Sequence, residues 1–238
     1  EILRARRDEP ARAGVLGDDE RAVRARLDDR EADAGEVRVA GWDPVTEPGE
    51  VRARMGWSPD VFGLYDNLTG GEYLELFGEA YRLGRPAARA RAAELLELAR
   101  LVEFADRPVH TMSRGQKQRL GMVRALVHDP EVLLLDEPST GLDPEQRARM
   151  VDIVRGLDGC VLLSSHVMED VTDAANRVLV LHGGRLVYDG TPADLAAQAP
   201  SGTRPGREAE QAFLEQVDPD GKPLGVMPAI ILAPPSLS

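Results

Sequence analysis

Four consecutive apolar residues, Val132-Leu133-Leu134-Leu135, run straight into Asp136-Glu137-Pro138, and that junction constrains the fold more than any other part of the chain. So short and so apolar a run fits a buried strand. Pro138 offers no N–H to a ladder, so it ends the strand and turns the chain away. From residue 113 onward strands and helices alternate. Helices are expected over 114–128, 144–157 and 167–175, strands over 131–136 and 160–165, and a hairpin over 177–189 that turns at Gly183-Gly184. Such alternation predicts parallel strands joined by helical crossovers, an α/β fold.

Upstream of residue 113 the pattern is looser. Residues 35–41 alternate between glycines and read as a strand, a second strand is expected near Val51 to Trp57, and a turn-rich loop follows from Ser58 to Thr69. Residues 71–105 read as two helices split at Gly84-Arg85-Pro86, with Leu95, Leu98 and Leu101 on one face of the second. About half of residues 1–33 are Arg, Asp or Glu, which favours a solvated helix or disorder. The end, residues 200–238, reads as one short helix near 207–217 and a flexible Pro/Gly-rich tail.

With 238 residues the chain can bury one large core, or one core and a small subdomain. Its longest apolar runs are far shorter than the roughly 20 residues that cross a bilayer. No cationic, apolar leader opens the chain, so secretion is not expected. It begins with Glu1, so further sequence upstream is expected. A net charge of -12 argues against nucleic acid as a partner, because nonspecific binding needs a cationic surface. The single cysteine, Cys160, heads an apolar strand and reads as a small core residue in a reducing compartment.

Several residues stand where chemistry is possible. Ser113 and Gln116 form a Ser-x-x-Gln capping box ahead of an amphipathic run whose core face is Leu120, Val123 and Val127. A helix start of this kind gathers unpaired N–H groups and a positive dipole end, which suits a phosphate, and Gly115 leaves room for one. Asp143, Pro144 and Gln146 make a second capped start. His166 ends the strand that should lie parallel to the one ending at Asp136 and Glu137. All three would then share the carboxyl edge of the sheet, where ligands of α/β folds bind.

Taken together, Met112-Ser113-Arg114-Gly115-Gln116, Val132 to Pro138, Ser139-Thr140-Gly141-Leu142-Asp143 and Ser164-Ser165-His166 resemble the signature, Walker B, D-loop and switch of the ATP-binding-cassette (ABC) family. Gly56-Trp57-Ser58-Pro59-Asp60 resembles its Q-loop, with Asp60 where glutamine is typical. The resemblance implies a P-loop-NTPase-like, mainly parallel sheet with an incomplete N-terminal part. It divides the chain into an ATPase core over 34–59 and 131–198, a helical subdomain over 60–130, and flanking segments 1–33 and 199–238. Asp136 would hold Mg2+, Glu137 would act as general base, and His166 would contact the γ-phosphate. Ser113, Arg114, Gly115, Gln116, Asp60 and Asp143 would serve ATP, Asp143 from the dimer interface. The implied protein is the ATPase subunit of an exporter. It would pair with a second ATP-binding subunit and a membrane permease, peripheral on the inner face of the cell membrane.

One part of that family's pattern is missing. A phosphate loop needs Gly-x-x-x-x-Gly-Lys-Ser/Thr after a strand. The two lysines here are Lys117, inside the capped helix, and Lys222, followed by proline. The chain alone is therefore expected to hydrolyse ATP poorly or not at all. Three other readings remain: a degenerate subunit that lends Ser113 and Gly115 in trans, a soluble ABC protein of DNA repair or translation, and a fragment that folds without activity.

Overall fold

The computed structural model describes residues 35–60, 63–157, 159–165, 167–182, 185–205, 207–214 and 228–232. Among these, β1 (Met55–Ser58), β2 (Val132–Asp136) and β3 (Cys160–Ser164) form the parallel part of a six-stranded sheet. Met55 to Ser58 lie opposite Val132 to Leu135, and Val132 to Asp136 lie opposite Cys160 to Ser164. The three carboxyl ends therefore share one edge. The hairpin of β4 (Arg177–His182) and β5 (Arg185–Gly190) completes the far side, as the sequence pattern implies. Its Gly183-Gly184 turn lies outside the described residues.

Between β3 and β4 sits β6 (Pro228–Leu232), antiparallel to both, where the sequence suggests a flexible tail. The segment is five residues long, starts with a proline that need not donate, and continues Ala-Ile-Ile-Leu, a β-favouring run hidden by the Pro/Gly content around it.

Two upstream expectations are corrected. Residues 35–41 do not join the sheet. Val39 and Trp42 exchange two backbone hydrogen bonds of 2.9 and 3.0 Å across Ala40 and Gly41, both at positive φ, so the alternation closes into a tight turn. Residues 48–54 are a helix, α1 (Pro48–Arg54), and only Met55 onward is strand. Pro48 in the first turn and the Glu50–Arg54 pair at i,i+4 favour the helix over the expected strand.

The helical part follows the expected split. A capping box at Thr69 and Glu72 starts α2 (Gly70–Ala80), and Pro86 lies in the first turn of α3 (Arg85–Leu98). Leu95 and Leu101 are buried, but Leu98 is exposed, and Leu96 takes the inward place. Next come α4 (Arg114–Arg124), α5 (Pro144–Arg155), α6 (Met168–Ala174), α7 (Pro192–Ala196) and α8 (Glu208–Leu214). Leu120, Val123 and Val127 pack into the core with β2 and β3 residues, as their spacing requires. Cys160 is buried there too, and burial pushes its thiol pKa up, which keeps it protonated.

Candidate functional site

The edge where β2 and β3 end is built around one hydroxyl. Ser164 faces Asp136 across the strand pair, and its Oγ donates to Asp136 Oδ1 at 2.6 Å. The Glu137 N–H in turn donates to Ser164 Oγ at 3.0 Å and to the Ser164 carbonyl at 3.1 Å. A single serine thus holds the Asp136 carboxylate and the backbone of Glu137.

Glu137 itself is only 8% exposed and sits at φ +47°, in the left-handed region that a residue with a Cβ seldom adopts. The sharp turn at Pro138 and the two bonds to Ser164 hold it there. Thr140 Oγ1 donates to Glu137 Oε2 at 2.9 Å, and the Thr140 N–H bonds the Glu137 carbonyl at 3.1 Å. Strain held in this way concentrates at functional positions.

Behind that turn lies Asp170 of α6, fully buried. It accepts hydrogen bonds from Ser139 Oγ and, at 2.8 Å, from Ser165 Oγ, while Arg147 Nε of α5 stands 3.9 Å away. One carboxylate therefore joins the turn after β2, the end of β3 and helix α5. Its burial is tolerable because hydroxyl donors and a cation surround it.

Helix α4 starts as its sequence foretells. Gln116 N–H donates to Ser113 Oγ at 3.3 Å, and Ser113 N–H donates to Gln116 Oε1 at 2.7 Å. Ser113 and Arg114 are exposed and Gly115 is buried. The gap at Gly115 is already filled within the chain, because a Cβ there would collide with Gln146 Oε1. That corrects the reading of Gln146 as a capping-box partner. Asp143 caps α5 by accepting the Gln146 N–H at 2.8 Å, but the Gln146 side chain turns to Gly115 instead. Arg114 reciprocates: its guanidinium lies against Gly141, where an added Cβ would come within 2.7 Å. Lys117 Nζ pairs with Asp66 Oδ1 at 3.1 Å, tying α4 to the loop ahead of α2.

Asp60 is half-buried, two residues past the end of β1, and so at the edge shared with Asp136. His166 lies outside the described residues; β3 before it ends at that same edge. No group of three or more His, Cys, Asp or Glu able to hold a metal occurs among the described residues. A lone aspartate at a strand end is still compatible with Mg2+, a hard ion that keeps several waters and takes one or two carboxylates along with phosphate oxygens.

The sequence places Ser139, Thr140, Ser164 and Ser165 inside family-like motifs without giving them a role, and it does not single out Asp170. For Ser164 a signal exists, since a parallel register with the Val132 strand puts it opposite Asp136. The contacts of Asp170 depend on how α6 packs, and no local pattern encodes them. A cleft of about 240 Å³ lies elsewhere, between α1, β1 and α2, lined by Val51, Trp57, Phe77, Tyr81 and Arg124 among others. Arg124 there donates to the Trp57 carbonyl at 2.9 Å and stacks over Phe77 at 5.0 Å.

Comparison with known proteins fits this architecture. Residues 23–140 match the family described as ABC transporter. The chain is 42% identical over 169 residues to the daunorubicin resistance ATP-binding protein DrrA3 of Streptomyces coeruleorubidus, covering 70% of this chain and 54% of that protein. It is 35% identical to the ABC transporter ATP-binding protein NatA of Bacillus subtilis, covering 67% of each. It is 39% identical to the Nod factor export ATP-binding protein I of Paraburkholderia xenovorans, covering 69% of this chain and 55% of that one. The chain spans about half the length of the first of these relatives. A solved ATP-binding subunit of an ABC transporter superposes with TM-score 0.64 at 26% identity, covering 75% of both chains.

Proposed function

The chain belongs to the ABC transporter family of ATP-binding proteins, and from that premise we propose that it is the ATP-binding subunit of an exporter, coupling nucleotide-driven dimerisation to a membrane permease. One observation carries the reading. Arg114 at the α4 start rests on Gly141, four residues past Glu137, so the phosphate-suited helix start is tied to the turn that follows the two carboxylates. Nucleotide binding is the family's common property.

Asp136 would hold Mg2+, with Ser164 fixing the orientation of its carboxylate. Mg2+ supplies charge neutralisation on phosphate oxygens. Glu137, steadied by Thr140, orients and deprotonates the attacking water, and His166 contacts the γ-phosphate. Ser113, Arg114, Gly115 and Gln116 present the capped helix start to a nucleotide held by a second ATP-binding subunit, with Asp143 at the same interface, and Asp60 would serve the nucleotide from the shared sheet edge. The permease contacts the helical part 60–130, and the cleft lined by Phe77, Tyr81 and Arg124 offers it a surface. No described helix is long and apolar enough to cross a membrane. The exporter reading puts the chain at the inner face, held by its permease. The acidic charge disfavours nucleic acid, and with it a role in DNA repair or translation.

The missing phosphate loop decides how far the chain works alone. Each charge-assisted hydrogen bond to phosphate contributes roughly 1.5–3 kcal/mol, so losing a loop of them costs orders of magnitude in affinity. Titration with a fluorescent ATP analogue and Mg2+ should show no saturation in the micromolar range for the isolated chain. Micromolar binding would refute this.

A second reading is favoured by the same absence. The chain lends Ser113 and Gly115 to a partner that carries an intact phosphate loop, without hydrolysing ATP itself. ATPase activity that appears only in the mixture, and falls with Ser113→Ala in this chain, supports that version.

A further inference from the structure

The cleft between α1, β1 and α2 is lined by aromatic and apolar side chains, Met55, Trp57, Phe77 and Tyr81 among them. Among the described residues that line it, Arg52 and Arg124 are cationic and none is acidic, although the chain as a whole carries 41 acidic residues against 29 basic ones. The walls are set in advance. Arg124, the last residue of α4, donates to the Trp57 carbonyl at 2.9 Å and lies over the Phe77 ring at 5.0 Å. The His128 ring stacks on Tyr81 at 3.8 Å, and its Nε2 donates to the Met55 carbonyl at 3.2 Å. The carbonyls of Met55 and Trp57 on β1 thus already accept from side chains, so an occupant gains little from main-chain pairing there and must bind through its own side chains.

Trp, Tyr and Arg gathered in one recess are the composition of an interface centre. A volume of about 240 Å³ falls below the roughly 300–1,000 Å³ of small-molecule sites, and so suits side chains of a docking segment better than a whole ligand. A guanidinium already held in place loses little freedom when a carboxylate meets its planar fork. We propose that the cleft selects a helical partner segment by one carboxylate set among apolar side chains. Arg124 reads the acid, and Trp57 and Tyr81 are the walls that receive its apolar neighbours. The inference rests on the exporter reading only for the chain that supplies the segment, the permease; the chemistry of recognition comes from the cleft itself.

The test is made on the full chain without nucleotide. Three fluorescent helical peptides, otherwise built of alanine, leucine and serine, differ only at one central position, which carries glutamate, glutamine or lysine. Saturable binding of the glutamate peptide is expected, with at least about tenfold weaker binding of the other two, the scale of one charge-assisted hydrogen bond. Arg124→Met should erase that preference. Equal affinity for the three peptides, no saturable binding by any of them, or a preference that survives Arg124→Met overturns the proposal. If Arg124→Met does not fold, a diazirine-bearing copy of the glutamate peptide decides on the parent chain. Labelling within 44–57 or 77–81 is expected, and labelling confined to other segments overturns the proposal. Peptide selectivity in a chain that does not co-purify with a permease would sink the exporter reading and leave the carboxylate preference standing.

Discussion

Gln146, near the start of α5, fills the space that the missing side chain of Gly115 leaves near the start of α4. The two helix starts interlock a second time through Arg114 and Gly141. Gly115→Ala should therefore destabilise the chain even though alanine is the better helix former, and Gln146→Ala should remove most of that penalty. A double-mutant cycle by urea denaturation is expected to give a coupling of about 1 kcal/mol. Additivity would show that Gln146 swings aside freely.

Strain at Glu137 has a separate signature. At φ +47°, a Cβ costs about 1 kcal/mol relative to glycine. Glu137→Gly should then be more stable than Glu137→Ala by about that amount, although both lose the bond from Thr140. Equal melting midpoints for the two variants would mean that the backbone relaxes.

Asp170 holds three segments together, so its removal should cost more than either of those changes. Asp170→Ala strands Ser139, Ser165 and the Arg147 guanidinium, and a loss of about 3 kcal/mol is expected from the urea midpoint. A loss under about 1 kcal/mol would show that water replaces the carboxylate.

His128 predicts a pH dependence. Burial lowers its pKa from the usual 6.5, opposed by its hydrogen bond of 3.2 Å to the Met55 carbonyl; its ring stacks on Tyr81 at 3.8 Å. A depressed folded-state pKa means the unfolded chain takes up the proton first as pH falls. The stability from neutral His128 is therefore complete above pH 6.5 and is lost between there and the lower folded value. His128→Phe keeps the stack without the titration. Its stability should fall less than the parent's between pH 7 and pH 5, and parallel curves would contradict the assignment.

The downstream half of the fold is legible because its apolar runs, caps and turns agree with one another. Val132 to Leu135, the Ser113 cap and the Asp143 cap each combine a local signal with a matching period. Upstream, glycine-flanked alternation at 35–41 resembles a strand yet closes on itself, since a two-residue turn satisfies the same backbone groups at shorter range. The β6 segment escapes notice because a strand's place in a sheet is set by distant partners, and five residues carry too little periodicity to declare it. In the site, Asp136 and Glu137 announce themselves by position. Gln146 misleads, because its spacing from Asp143 suits a cap while its side chain is drawn to the vacancy at Gly115. Asp170 is silent in one dimension.

Ser164 couples the Asp136 side chain to the backbone of Glu137. Its hydroxyl grips the Asp136 carboxylate while both its hydroxyl and its carbonyl receive the amide of Glu137, so a shift of β3 along its axis reaches one acid at its side chain and the other at its backbone. A tug on the strand that leads to His166 would thus act as a lever on the acids, mechanically and without an intervening loop to absorb it.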